Sequence, residues 1–347
     1  MRIEQFSPTA DRAAVQACHE IYLAGIPVDD PNVPPMRPRT FAGWLEVGWT
    51  EDPRETWLAR DDTGQPVGWY VLSLPHRENR HLADLIPTPI VHPARRRAGL
   101  GTALLRHAAQ RAAQLGRTTL SGEALADSPG AAFARAQRGR PGITEVRRIL
   151  RLNEIQPGQL TRLRETAERA AAGYHLLTWA GRAPEGELPA LAAIYADAGD
   201  MPRNPGHEPG QWDVDRARLD DRRQAVLGLR QYTVTARSLA TGELAGLTQL
   251  AIEPGHETWG FQELTVVARR HRGHRLGLLV KVAMLDLLAE REPQLAQIVT
   301  GNAGQNEHMI AINAQLGFEI LDHFLSWELD VADVLARPSP GSLAAAP

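Results

Sequence analysis

At 347 residues and a formal net charge of −3, the chain is long enough for two domains of ordinary size, each with its own core. Its hydrophobic fraction of 43% and charged fraction of 23% are those of a water-soluble globular protein, and the small net charge gives no global attraction to nucleic acid or an anionic membrane. One cysteine, Cys18, excludes an internal disulfide and a cysteine-built zinc site, and no run has the form of a signal peptide or a membrane span, so a cytoplasmic location is expected.

MRIEQFS predicts a strand, and residues 11–23 an amphipathic helix in which Cys18 is a small buried apolar residue. A proline-rich segment follows (Pro27, Pro31, Pro34, Pro35, Pro38). Proline cannot continue a helix, so the segment predicts an ordered loop over the substrate side. ETWLARD and PVGWYVLSLP flank the turn DTGQ and predict a hairpin. HLADLIPTPIVHP predicts a strand made irregular by Pro87 and Pro89, which cannot donate to a ladder. It enters VHPARRRAGLGTALLRHA, where Arg96, Gly99 and Gly101 stand in the order R-x-x-G-x-G. The helix behind them has an apolar stripe at Leu100, Leu104 and Ala108 and a glycine stop at Gly116. RTTLSGEAL, PGAAFARAQRG and TEVRRILRL then predict a strand, a short helix and a strand, and NEIQPGQL begins a linker.

A bridging helix over about 159–172 leads to the strand YHLLTWAG, and helices are expected near 189–197 and 213–229. RQYTVTARSLATGELAGLTQLAIEP repeats the hairpin, and TWGFQELTVVA runs into VARRHRGHRLGLLVKVAM. Here Arg272 and Gly277 stand 176 residues after Arg96 and Gly101, but Arg275 replaces the first glycine. QIVTGN, EHMIAINAQLGF and ILDHFLSWELDV close the second copy, and the Pro-, Ser- and Ala-rich tail from Arg337 is expected to be disordered. The predicted organisation is a first domain over 1–155, a linker helix over 156–172, a second domain over 173–335 and a tail over 336–347. The fold class is α/β (α+β): two tandem modules, each a mixed, mostly antiparallel sheet flanked by helices.

A strand, a basic glycine-containing turn and a helix make an anion site. The first N–H groups of a helix lack intrahelical partners, and the helix dipole favours negative charge there. Val91 and Val267 each precede their arginine by five residues, which makes a chance match of the two turns harder to sustain. A dinucleotide-binding turn would read G-x-G-x-x-G and open the first βαβ unit; here arginine leads and each turn comes late in its half.

These residues resemble the GNAT superfamily of N-acetyltransferases, in particular chains with two GNAT domains in tandem, and the arrangement is also similar to that of mycothiol synthase. The resemblance covers residues from about 1 to 155 and 172 to 335. It implies acetyl-CoA as co-substrate, with no metal. The pyrophosphate would lie on the turns and the pantetheine arm along the strands before them. In the first copy this involves Val91, Arg96, Arg97, Ala98, Gly99, Leu100, Gly101 and Thr102. In the second it involves Val266, Val267, Arg272, Gly273, His274, Arg275, Leu276 and Gly277, with Asn302 and Asn306 beyond them. Arg275 is acceptable if its backbone is already helical.

The family motif N-x-x-A-x-x-L-Y-x-x-x-G-F falls on Asn306, Met309, Ile312, Asn313, Gly317 and Phe318. Asn313 thus stands in the place of the tyrosine that protonates the leaving thiolate. Asparagine cannot supply that proton, though it can hydrogen-bond to the sulfur. In the first copy, with Gly139 as closing glycine, Ser128, Arg135 and Arg140 take the asparagine, tyrosine and phenylalanine places. For the base, Glu263 lies four residues before Val267, a spacing that puts both on one strand face. Pro87 holds the matching first-copy place, with Asp84 and His92 the nearest titratable groups; His92 is expected to pack or cap. Transfer without a covalent enzyme intermediate is therefore expected in the second domain.

The implied partner is a small-molecule amine, with no nucleic acid and no membrane, bound to a monomer or homodimer. The loops over 27–49 and 200–212 carry Trp44, Trp49, Trp212, Asp29, Asp30, Glu46, Asp200 and Glu208, which suits a cationic amine such as an amino-sugar, aminoglycoside or polyamine. The alternatives are a non-catalytic CoA-binding protein and a protein or peptide N-acetyltransferase. Lys281 is the single lysine, so targets for self-acetylation are scarce.

Overall fold

The computed structural model describes residues 1–48, 50, 52–86 and 89–337. In chain order its elements are β1 (Arg2–Phe6), α1 (Arg12–Asp29), α2 (Pro38–Val47), β2 (Arg54–Arg60), β3 (Pro66–Ser73), β4 (Leu82–Leu85), β5 (Ile90–Val91), α3 (Leu100–Gln114), β6 (Thr119–Leu125), α4 (Pro129–Ala136) and β7 (Arg140–Arg151). There follow α5 (Gln159–Ala170), β8 (Tyr174–Ala180), α6 (Leu188–Asp197), α7 (Val214–Leu227), β9 (Arg230–Ser238), β10 (Leu244–Ile252), β11 (Trp259–Val267), α8 (Leu276–Arg291), β12 (Gln297–Ala303), α9 (Glu307–Leu316), β13 (Glu319–Asp330) and α10 (Val331–Ala336).

Local chemistry accounts for most of these elements. Asp61 Oδ1 accepts from the N–H groups of Thr63 and Gln65 at 3.0 Å each, and Gly64 (φ +86) completes the DTGQ turn that joins β2 to β3. Pro27, expected to lie in a loop, instead sits in the last turn of α1. There it removes one helical hydrogen bond two residues from the end, and burial of Val15, Cys18 and Ile21 holds the helix in place. Cys18 is fully buried, and burial pushes its thiol well above the ordinary range, which leaves it a small apolar residue.

The chain divides into two compact units that do not coincide with its two halves. The first unit is Met1–Thr144 with Asn204–Glu208 and the stretch from His323. The second is Glu145–Arg203 with Pro209–Asp322. Strand β7 therefore passes into the second unit after Thr144, and β13 passes into the first after Asp322. The first unit's sheet runs β1-β2-β3-β4-β6-β13, with β5 also on β3; β13 lies antiparallel to β6, with Trp327 opposite Gly122. The second unit's sheet runs β7-β12-β11-β10-β9-β8, with Val299 opposite Ile149. In each sheet one neighbouring pair is parallel, β4 with β6 and β11 with β12.

This partition corrects the expected domain edges. The bridging helix α5 is not a free linker: it belongs to the second unit, where Ala167 and Ala171 are buried in the core formed by α8 and β9. The end of the chain is likewise tied down as far as Arg337. Val331 and Val334 of α10 join the core on α3, Arg337 donates to Gln137 Oε1 at 3.0 Å, and its carbonyl accepts from Arg106 at 2.7 Å. The rest of the expected tail lies outside the described residues.

Candidate functional site

Both glycine turns have the same backbone. After β5, one turn of 3-10 helix (Pro93–Arg95) leads to an extended Arg96, then to Arg97 (φ +66) and Gly99 (φ +81), and α3 starts at Leu100. After β11, Arg269–His271 leads to an extended Arg272, then to Gly273 (φ +88) and Arg275 (φ +53), and α8 starts at Leu276. Each turn thus has two left-handed residues, filled as Arg then Gly in the first and Gly then Arg in the second. Arg275 is therefore not helical, so the condition under which a non-glycine residue would fit there without strain is not met; it holds the left-handed N-cap position that Gly99 holds. Successive amides of alternating hand, ahead of a helix start, form a concave anion site.

The leading arginines brace these turns. Arg96 donates from Nε to the Val91 carbonyl at 3.0 Å and from its two terminal nitrogens to the Asp29 carboxylate at 2.9 and 2.5 Å. Arg272 repeats the arrangement with Val267 at 3.3 Å and Asp200 at 2.6 Å, and the ion pair holds the Asp200 carboxyl below its ordinary range. Both arginines thus fasten the turn to the end of the preceding helical layer, with less of their charge directed at a phosphate than the sequence implies. His274 lies against Tyr174 with the ring planes tilted by 51°, and His92 caps its 3-10 turn by accepting from Ala94 N–H at 3.3 Å.

In the first unit β4 and β6 run together from Leu82 opposite Thr119 to Leu85 opposite Gly122, then part. The chain moves instead onto β3, where Val91 lies opposite Gly68; a Cβ on Gly68 would stand 2.8 Å from the Ile90 carbonyl. The gap between β5 and β6 opens a cavity of about 600 Å³. It is lined by Ile90, Val91, Glu123 and Phe324, by Arg96, Arg97, Gly99, Gly101 and Thr102 of the turn and helix start, and by Tyr22, Asp29 and Asp30. Leu100 packs instead into the core beneath α3, and Ala98 separates the two left-handed residues. Pro87 and Trp49 lie outside the described residues, and Trp44 is a core residue at 2% exposure, so it does not line a substrate pocket. In the second unit β11 and β12 part in the same manner after Gln262 opposite Thr300.

The Acetyltransferase (GNAT) family model matches residues 16–135. A tandem GNAT protein from the clavulanic acid biosynthesis pathway superposes with a TM-score of 0.80 at 27% identity, covering 95% of this chain and 98% of that one. Residues 16–135 thus form a GNAT acetyltransferase domain, and the chain as a whole is similar to a tandem GNAT protein. Two further tandem-length matches show the fold: the glucosamine N-acetyltransferase region of a fungal multi-domain β-N-acetylglucosaminidase, and a GCN5-related N-acetyltransferase from Sphaerobacter thermophilus. The first has a TM-score of 0.65 at 14% identity, over 94% of this chain and 38% of that one. The second has a TM-score of 0.62 at 16% identity, over 97% and 96%. No curated protein sequence matches the chain. As a GNAT protein it is an acyltransferase of a family that generally uses acetyl-CoA. Among the described residues no helix is long and apolar enough to cross a membrane, and no cluster of three or more His, Cys, Asp or Glu is arranged to hold a metal.

In the second unit, Glu263 does not share a face with Val267. The β10–β11 register places Thr248 opposite Thr265 but Leu250 opposite Gln262, so β11 has one extra residue at this point. The bulge turns the strand over. Val267 packs toward α8, whereas Leu264 and Val266 pack toward α6. Glu263 follows the second group and accepts from Gln231 at 3.0 Å and from Gln224 of α7 at 3.3 Å to each oxygen. Burial, with Asp220 adding to it and Arg223 opposing it, pushes its carboxyl up to about 7.

Asn313 is fully buried, and both its polar atoms are engaged: Lys281 Nζ donates to its Oδ1 at 2.9 Å, and its Nδ2 donates to Asn302 Oδ1 at 2.7 Å. These bonds make it a brace of the second unit's interior. Lys281 is 3% exposed and lies 5.2 Å from the Phe318 ring, and burial lowers its ammonium to about 7. Asn306 caps α9 by accepting from Met309 N–H at 3.3 Å, and Gly277 packs against Ile312, whose Cδ1 would meet an added Cβ at 2.9 Å. Sequence reasoning noted Lys281 only as a rarity; its midpoint in an apolar helix was the one signal of its burial.

The loop over 200–212 does not serve the second unit alone. Its Asn204–Glu208 stretch belongs to the first, where Glu208 N–H donates to Asn79 Oδ1 at 2.7 Å. Asp200 braces Arg272, and Trp212 packs at a tilt against Tyr195 with Arg216 above its ring. Asp84, in sequence only a nearby titratable group, is buried beside Ser121, whose hydroxyl donates to it, and burial raises its carboxyl above the ordinary range.

Proposed function

We propose that this GNAT protein acetylates the amine of a small cationic molecule, and that the first unit's cavity takes the acetyl-CoA. One observation carries the reading: the opening between β5 and β6, the left-handed turn and the start of α3 all border one cavity of about 600 Å³. The residues fit the group. Amides from Arg97 to Thr102 would receive the pyrophosphate, and β5, which among the described residues pairs with β3 alone, leaves its other edge for the pantetheine amides. Bound there, acetyl-CoA supplies an acyl group activated as a thioester. Asp29 is neutralised by Arg96, and the cavity's other carboxylates, Asp30 and Glu123, favour a cationic acceptor.

Calorimetric titration with acetyl-CoA tests the seat. Thr102→Glu puts a carboxylate at the helix start and should weaken binding at least tenfold, and an unchanged affinity would overturn the assignment. Thiol release across a panel of amino-sugars and polyamines tests the reaction.

A second reading places the transfer in the second unit, with Glu263 as base. Its raised carboxyl favours that reading, since a group titrating near 7 exchanges protons readily at neutral pH. Glu263→Gln should then lower kcat/KM about 10²-fold or more, while wild-type turnover would leave the carboxylate a structural group.

A further inference from the structure

The Asn204–Glu208 stretch comes from the second half of the sequence yet is part of the first unit. It is fixed there at two points. Asn204 Oδ1 accepts from Ile143 N–H at 2.6 Å and from the Ser326 hydroxyl at 3.1 Å, and Glu208 is tied to Asn79. Gly142 makes room for this: a Cβ there would collide with Asn204 Oδ1. Between the two anchors, His207 directs Nε2 at Glu328 Oε1, 2.7 Å away.

The register of β6 and β13 locates this pair. Glu123 lies opposite Ser326, and Ser121 opposite Glu328. Side chains two apart on a strand share a face, about 7 Å along it. Glu123 lines the cavity, so Ser121, Glu328 and the imidazole on Glu328 stand one step further along that face, beside the point where β4 and β6 part. Only Nε2 of His207 is engaged; among the described residues Nδ1 has no hydrogen bond.

We propose that His207 is the general base of acetyl transfer in the first unit, held by Glu328 and supplied by the second half of the chain. The inference rests on acetyl-CoA occupying the first unit's cavity. The free nitrogen takes one proton from the acceptor's ammonium. The amine lone pair then forms the C–N bond at the thioester carbonyl, the C–S bond breaks, and the thiolate leaves with that electron pair and takes up the second proton that the nitrogen loses in becoming an amide. Glu328 fixes the ring and balances the imidazolium, as a carboxylate does for a catalytic histidine. The charged and titratable groups around the ring are Glu328, Arg140 at 3.4 Å from Glu328, His81 with its ring centroid 6.5 Å away, and Asp84 with Asp52 and Arg117 beyond it.

The test uses the full chain and two kinds of acceptor: protonated amines (spermidine and glucosamine) and hydroxylamine, which is largely uncharged at neutral pH and needs no base. His207→Gln should bind acetyl-CoA within twofold of wild type by calorimetry. It should lose about 10²-fold in kcat/KM for the protonated amine while retaining transfer to hydroxylamine. Imidazole added to His207→Ala should restore part of the loss, which a purely structural role would not allow. Equal loss with both acceptors, or none with either, would overturn the proposal, as would a wild type that acetylates hydroxylamine but neither amine. If Thr102→Glu leaves acetyl-CoA affinity intact, the cavity reading fails instead, and the two failures are separate.

Discussion

Gly99 and Arg275 hold the same left-handed backbone at the same point in their two turns, with φ of +81 and +53. For a residue with a Cβ that conformation costs about 1 kcal/mol or more. Arg275→Gly should therefore stabilise the second unit by about 1 kcal/mol, read as a rise in the denaturant midpoint, and Gly99→Ala should destabilise the first by a similar amount. A lower midpoint for Arg275→Gly would mean that the arginine side chain contributes more than its backbone costs.

The Arg96–Asp29 pair distinguishes a brace from a phosphate ligand. Were Arg96 chiefly a ligand, Asp29→Asn would release it and tighten acetyl-CoA binding. As a brace it loses its anchor, so Asp29→Asn should weaken binding several-fold. Calorimetric titration reads the sign directly, and tighter binding would assign the charge to the phosphate.

Two buried groups in the second unit give opposite slopes of stability against pH. The Glu263 carboxyl is raised from 4.5 to about 7, so the fold binds the extra proton and its contribution, full below about 4.5, is lost as pH rises through 7. The Lys281 ammonium is lowered from 10.5 to about 7, so below 7 the fold carries a buried charge, and stability rises from there toward 10.5. Glu263→Gln should flatten the acidic slope and Lys281→Met the alkaline one, as measured by Tm at a series of pH values. Persistence of either slope in its variant would assign it to other groups.

A fragment of residues 1–155 should not behave as a domain. It keeps the first glycine turn but lacks the β13 segment paired to β6, the apolar residues Trp327, Val331 and Val334, and His207. Unpaired β6 would be an exposed edge, so the fragment should aggregate or show a broad, uncooperative unfolding transition. A soluble fragment with a sharp transition would show that the exchanged strand is dispensable.

Much of this protein is determined by local sequence. The duplicated turns, the DTGQ hairpin and the α3 stripe depend on residues close together in the chain, and they are legible in the sequence alone because positive φ, capping and helical periodicity are local constraints. What needed the tertiary structure was each decision between distant residues. The strand order made β7 and β13 change units, although both are recognisable as strands, because edge pairing has no signature within a strand. A one-residue bulge reversed Glu263, since strict alternation holds only while the register does. Arg96 is committed to Asp29, Asn313 to Lys281 and Asn302, and His207 to Glu328 across 121 residues, because a polar side chain takes the partner that folding brings to it.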